Sequence, residues 1–333
     1  MTAFIRPIVP DLQVVEACLR ESLAVRRLSN FGPAERQFSE LLGRFLFDRI
    51  VLTSSGHTAL MTAIGIERVR RWAIPAFTFE STRLAVVGQG LEAVYVDVGE
   101  DGSISVEDLR RTTWDGVVVV CPLSTIPDIR AILNIASGRP VVVDAAGTFG
   151  STPREGTSIC VSFHATKTLP IGEGGAISGL SEDQEEAAKR FINFGLVPGD
   201  DTPSGCGMNA KLSEYAAAVG LALLGEPIER EIALRLRNAR AYQERLGRWI
   251  PQGALGDRTV RTVLPVFLPT VEIVERVHHD LVQAGIEHRQ YYRPLVPLPG
   301  AVSCYRRNIC LPVHGDVSLE DISKICDIVM QHV

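Results

Sequence analysis

Ser162-Phe163-His164-Ala165-Thr166-Lys167, followed by Gly172-Glu173-Gly174-Gly175 and preceded by Val141-Val142-Val143-Asp144, decides how this chain is read. The run Ile159 to Phe163 reads as a strand entering a tight loop that ends on a lysine. Val141 to Val143 reads as a strand that ends on a lone carboxylate. Continuous valine, here and at Val117-Val118-Val119-Val120, marks strands buried on both faces, hence a mostly parallel sheet covered by helices. In such α/β sheets ligands collect at the carboxyl ends of the strands, where Asp144 and Lys167 both fall. A lysine amine in that place can condense with an aldehyde. A carboxylate nearby can keep a pyridine nitrogen protonated. Together they are what a pyridoxal phosphate (PLP) site needs. Taken singly, a solvated lysine is the plainer reading of Lys167, and a turn or helix-capping aspartate is as good a reading of Asp144. Three glycines in four residues after Lys167 weigh against the first, because such a backbone passes close to something bulky.

Working outward, the same chemistry finds further parts. Thr53-Ser54-Ser55-Gly56-His57-Thr58 follows the strand Val51-Leu52 and opens a helix running to Arg68. Free N–H groups of a first helical turn, with glycine admitting close approach, form a phosphate cup; an ordinary N-cap is the competing reading. Phe79, in Pro75-Ala76-Phe77-Thr78-Phe79 after the strand Trp72 to Ile74, is placed to stack on a ring or simply to fill the core. Ala93 to Val96 reads as a further strand. Glu35 to Phe47, Thr82 to Gly88 and Pro127 to Ala136 read as helices between strands, completing a doubly wound α/β unit. Helices are expected over Leu212 to Leu224 and Pro227 to Gly247. Strand Thr262 to Leu268, helix Val271 to Ala284, an extended stretch His288 to Pro294, strand Asn308 to Pro312 and helix Leu319 to Met330 complete a small α+β unit. The expected organisation is an arm and helix laid on the main domain (1–30), a large domain (31–226) and a small C-terminal domain (227–333).

Composition narrows the function classes. The chain has 333 residues, 46% hydrophobic and 22% charged, with a formal net charge of −5. No basic stripe supports a nucleic-acid partner, and no stretch approaches the length of a membrane span. No apolar core follows a basic start at the amino terminus, so no signal peptide is read. A cytoplasmic location is expected. The seven cysteines are scattered and form no C-x-x-C pair, which argues against a zinc site or a disulfide framework. Cys121 and Cys160 read as small buried hydrophobes. His278-His279, on a polar helix beside Glu275 and Asp280, reads as a solvated face, and no metal site is expected.

The order of these pieces resembles the DegT/StrS-type sugar aminotransferases, a branch of the fold-type-I PLP enzymes. The resemblance is carried by Leu28-Ser29-Asn30-Phe31-Gly32-Pro33, Ser55-Gly56-x-x-Ala59-Leu60, Pro75-x-Phe77-Thr78-Phe79, Asp144-Ala145-Ala146, Ser162-Phe163-His164-x-x-Lys167, Gly172-Glu173-Gly174-Gly175, Asn193-Phe194-Gly195 and Asn209-Ala210-Lys211-x-Ser213-Glu214. With Arg289-x-Tyr291-Tyr292-x-Pro294-Leu295 it is most like the subgroup that aminates nucleotide-linked 4-keto-6-deoxyhexoses. It implies a large, mostly parallel seven-stranded sheet domain with a smaller C-terminal α+β domain. It also implies Lys167 as Schiff-base lysine and proton shuttle, Asp144 on the pyridinium, Phe79 on the ring face, and Gly56, His57 and Ser162 on the phosphate. Asn209 would reach the cofactor of the other subunit in a homodimer with shared active sites. Arg289 and Tyr292 would contact the nucleotide sugar, with glutamate as amino donor. His57 and Gly147 stand where the family usually carries threonine and a glutamine or histidine. Two alternatives remain. One is transamination of a cyclitol or other non-nucleotide ketone; the other is a catalytically silent member, against which Lys167 and Asp144 both speak.

Overall fold

Strand-then-helix repeats build the sheet that carries both Asp144 and Lys167. The computed structural model describes residues 1–333 except 47–48, 152–157, 198–199, 204 and 254–255. Before and between the strands run α1 (Leu12–Ala24), α2 (Pro33–Leu42), β1 (Val51–Thr53), α3 (Gly56–Gly65), β2 (Arg71–Pro75), α4 (Glu80–Val87), β3 (Glu92–Val96), α5 (Val106–Arg111), β4 (Gly116–Val120), α6 (Ile129–Ala136), β5 (Val141–Asp144), β6 (Ser158–Ser162), β7 (Gly175–Ser178) and α7 (Glu182–Phe191). The strands form one seven-stranded sheet in the order β1-β7-β6-β5-β4-β2-β3. Its central pairs are parallel, while β7 runs antiparallel to both β6 and β1. This is the mostly parallel α/β sheet that the valine runs imply. Alternate valines feed two cores. Val117, Val119, Val141 and Val143 pack with Phe38 and Phe163 on one face. Val118, Val120 and Val142 pack with Leu60 and Ile64 on the other. Cys121 and Cys160 are buried among them.

Two local expectations change. The glycine run after Lys167 carries no strand in the sequence reading, yet Gly175 opens β7. A Cβ there would lie 2.5 Å from the Ser55 carbonyl oxygen, so what Gly175 passes is the backbone that opens α3, whereas Gly174 passes the Ile171 side chain and Gly172 meets open space at φ 95°. The helix expected from Glu35 starts earlier, with Pro33 in its first turn as the fixed φ of proline favours. It ends at Leu42, and Phe47 lies outside the described residues.

After the hairpin β8 (Leu196–Val197) and β9 (Asp200–Pro203), α8 (Glu214–Leu223) packs against α1 and α2. Then come α9 (Glu226–Leu246), β10 (Leu264–Phe267), α10 (Val271–Gln283), α11 (Pro299–Arg307), β11 (Asn308–Leu311) and α12 (Leu319–Met330). β10 and β11 pair antiparallel, and α9, α10 and α12 close a separate apolar core over them. The sequence reading has no counterpart of α11, whose nine residues bury only Ala301 and Cys304. The amino-terminal arm touches both units: Ile8 packs on the core of the sheet unit, and Phe4 clusters with Ala76, Phe77 and Val98 as well as with Val263 and Phe267. Its first residues also bond to the C-terminal unit. Thr2 N–H donates to the Gly285 carbonyl at 3.0 Å, the His314 ring nitrogen Nε2 meets the Ala3 carbonyl at 3.0 Å, and Arg6 pairs with Asp316 at 3.1 Å. Phe4, 3% exposed and tilted against Tyr291, anchors this strap by apolar burial. Among the described residues no helix is long and apolar enough to cross a membrane.

Candidate active site

A cavity of about 430 Å³ opens at the carboxyl ends of β4, β5 and β6, beside the start of α3. Ser55, Gly56 and His57 form one end; Asp144, Ser162 and Lys167 line the floor and sides. Thr262, Val263, Tyr291 and Tyr292 reach in from the C-terminal unit, and Ile5 from the arm.

Asp144 closes β5 and is 6% exposed. Its Oδ2 accepts from the Thr82 hydroxyl at 3.0 Å, and Oδ1 accepts from the Ala146 N–H at 3.2 Å. Thr78 and Thr82 hydroxyls in turn lie 2.9 Å apart. Burial pushes the Asp144 carboxyl above its ordinary pKa, opposed by the Ala146 amide, the Thr82 hydroxyl and the charges of Lys167 and His57. Lys167 follows β6 through a turn in which its N–H donates to the His164 carbonyl at 2.8 Å. Burial lowers its amine pKa, and the Asp144 charge works the other way. The Thr166 N–H can only donate, so His164 Nδ1 is an acceptor at 3.2 Å, leaving Nε2 to face Glu173 at 3.6 Å.

The cup is built locally. Ser55 caps α3: its hydroxyl accepts from the Thr58 N–H, and the Thr58 hydroxyl accepts from the Ser55 N–H, a reciprocal capping box. The amides of Gly56 and His57 belong to the first turn, which has no intrahelical acceptors. A Cβ on Gly56 would lie 2.6 Å from that of Ser162, so only glycine lets the helix start settle on the end of β6. Nδ1 of His57 is buried and has no hydrogen-bond partner among the described residues. A phosphate at this helix start would satisfy that nitrogen and the free amides together. These residues therefore fit PLP.

The remaining expected residues divide. Phe79 lines the cavity, 62% exposed, with its ring 6.3 Å from that of Tyr292. Tyr292 lines it too, and burial raises its phenol pKa, keeping the hydroxyl protonated. Asn209 lies outside the cavity and exposed, its Oδ1 accepting from Lys211 at 2.9 Å. Its neighbour Ala210 accepts the Ser54 N–H at 2.7 Å, so this segment runs beside the cup strand. Arg289 also lies outside. Its guanidinium sits 5.5 Å from the Phe4 ring centre and donates to the His288 carbonyl at 2.8 Å. It lines a separate groove with His278 and Arg306. His278 is no plain solvated residue either, since its Nδ1 lies 2.7 Å from Nε2 of buried His288. Sequence reasoning missed Thr82, Ser124 and Thr262. A lone Ser or Thr without a motif gives no signal, and each works through partners far along the chain.

The profile of the DegT/DnrJ/EryC1/StrS aminotransferase family matches residues 13–330. The dTDP-4-amino-4,6-dideoxy-D-glucose transaminase of Escherichia coli is 27% identical over 98% of this chain and 97% of its own length. Among solved structures, that of DesI in the presence of its TDP-sugar product superposes with a TM-score of 0.86 at 25% identity, covering 99% of this chain and 92% of that one. The sugar aminotransferase CalS13 from Micromonospora echinospora has a TM-score of 0.87 at 21% identity, with both chains fully covered, and so shares the fold.

Proposed function

Because the chain belongs to the DegT/DnrJ/EryC1/StrS aminotransferase family, and is thereby a PLP-dependent transaminase, we propose that it moves the amino group of glutamate onto a nucleotide-linked keto-deoxysugar. A dTDP-4-keto-6-deoxyhexose is the first acceptor to try. The observation that carries this reading is the convergence of Lys167, Asp144 and the Ser55–His57 turn on one cavity. The acceptor class is supported by the names of the Escherichia coli relative and of the DesI structure. Ile5, Val263 and the Tyr292 ring add an apolar wall suited to a deoxygenated sugar carbon.

When bound, PLP supplies an electron sink conjugated to the amine being transferred. Lys167 Nζ would hold the cofactor's aldehyde end at rest and, when free, would hold or move the proton of the substrate carbon. Its lowered pKa leaves more of the amine unprotonated near neutral pH, as a base requires. Asp144, aimed by Thr82 and the Ala146 amide, holds the pyridine N–H. Gly56, His57 and Ser162 would hold the phosphate, and Phe79 would support the ring. Tyr292 is the aromatic assigned to the sugar, since Arg289 turns toward Phe4. Asn209, exposed beside the cup strand, is suited to reach the phosphate held by a second copy, and we propose a homodimer with shared sites. Full activity of a species that sediments as a monomer at assay concentration would remove that proposal.

The test is a pair of half-reactions. Glutamate alone is expected to bleach the visible absorbance of the loaded protein with one equivalent of 2-oxoglutarate released. A keto-sugar nucleotide is then expected to restore the colour. Restoration by a keto-cyclitol or an unlinked keto-sugar alone would refute the nucleotide-sugar reading. Failure of both halves would point to the silent alternative.

A further inference from the structure

One stretch of the cavity wall holds its backbone against its own preference. Leu123 (φ 50°) and Ser124 (φ 66°), three and four residues after β4, are consecutive left-handed residues, though neither is glycine. Such conformations persist only where the surroundings over-determine them, and they gather at functional sites. What over-determines this pair is a knot of hydroxyls. Ser124 Oγ accepts the Thr262 N–H at 3.0 Å and donates to the Gly147 carbonyl at 2.7 Å. Thr262 Oγ1 donates to the same carbonyl at 2.9 Å and lies 3.5 Å from the hydroxyl of Thr168, the neighbour of Lys167. A Cβ on Gly147 would stand 3.1 Å from Ser124 Oγ, so glycine leaves the room that the two hydroxyls fill.

The knot joins the two groups that bracket the cofactor. Gly147 is three residues beyond Asp144, whose carbonyl also accepts the Cys121 N–H at 2.9 Å. Thr262 enters from the C-terminal unit and is itself held from α9: the buried Arg235 guanidinium, paired with Glu231, donates to the Thr262 carbonyl at 3.1 Å. Both hydroxyl protons go to Gly147, so neither is left to donate to a ligand. Their influence on the site is positional.

We propose that Ser124 and Thr262 are positioning residues, whose two hydroxyls converging on the Gly147 carbonyl fix the Asp144 strand end relative to the Lys167 loop and so set the protonation behaviour of the bound cofactor. The proposal rests on the PLP reading above. Ser124→Gly tests it, because glycine adopts φ near +60° without strain. The change also removes the acceptor of the buried Thr262 N–H, so a purely architectural serine would show a lower melting temperature and unaltered spectra. The positioning role instead predicts, whatever the change in melting temperature, a pH midpoint of the visible absorbance, measured without substrate, shifted by about half a unit or more. It also predicts kcat reduced roughly tenfold with KM little changed. Thr262→Val should shift the midpoint likewise, and Thr262→Ser should restore it. If borohydride fixes PLP to Lys167 in the wild type while Ser124→Gly and Thr262→Val keep its midpoint, this inference falls alone. If the wild type fixes no PLP at Lys167, the inference and the reading beneath it fall together.

Discussion

Lys167→Ala is expected to yield a colourless protein whose transamination is reduced by roughly 10³-fold or more, since nucleophile and proton carrier are lost in one residue. The fold should survive the change. The amine lies in the cavity and burial disfavours its charged form, so removing it relieves a desolvation cost rather than emptying a core. Two measurements decide. Borohydride treatment followed by peptide mapping should mark Lys167 in the wild type and nothing in the variant. Steady-state transamination by the variant at a rate near wild type would overturn the assignment.

Asp144→Asn is expected to reduce turnover by roughly 10²- to 10³-fold while leaving the protein folded, because it removes charge aimed at the reacting system and keeps the shape. The hydrogen bonds can be rebuilt. The amide oxygen can accept from the Ala146 N–H, and the Thr82 hydroxyl can turn to accept from the amide nitrogen while donating to Thr78. Asp144→Ala would instead leave these buried donors unpaired, at about 1–3 kcal/mol each, and is the poorer probe. The asparagine variant also makes a prediction about stability. The folded-state pKa of Asp144 is raised, so the cofactor-free protein binds that proton more tightly folded than unfolded. The contribution is present below the ordinary carboxyl pKa and is lost as pH rises through the raised value. Cofactor-free Asp144→Asn should therefore melt above cofactor-free wild type at pH values beyond that titration, with the gap closing toward acid. With PLP bound the order should invert, since a pyridinium gives the carboxylate its counter-charge. Thermal melts of both proteins, with and without PLP across pH, provide the check; an unchanged order on loading would contradict the pairing of Asp144 with the ring.

Part of this site is legible in the chain because its signals are local. Val117 to Val120 and Val141 to Val143 announce strands buried on both sides, and the strands following that pattern are buried throughout. Ser55 before Gly56 announces a helix start, and a capped helix begins there. Local reading fails where a residue's role depends on what passes it. The glycines after Lys167 signal close approach without saying to what; for Gly175 the partner is the Ser55 backbone, while Gly172 has none. Arg289 sits in a segment that resembles a substrate-closing loop, yet its guanidinium is drawn to Phe4 of the arm.

The sequence by itself determined the buried parallel sheet, the carboxylate and lysine at its strand ends, and the capped helix start beside them. Periodicity, strand termination and capping act between residues a few positions apart, so they are written in order along the chain. Only the tertiary structure decided that Thr82 aims Asp144 from 62 residues away, that Thr262 meets Ser124 across 138, and that the amino-terminal arm straps the far unit. A single hydroxyl or carbonyl has no periodicity to betray its partner. Its bond exists only once the apolar cores have brought distant segments within 3 Å or so, where leaving it unmade would be costly.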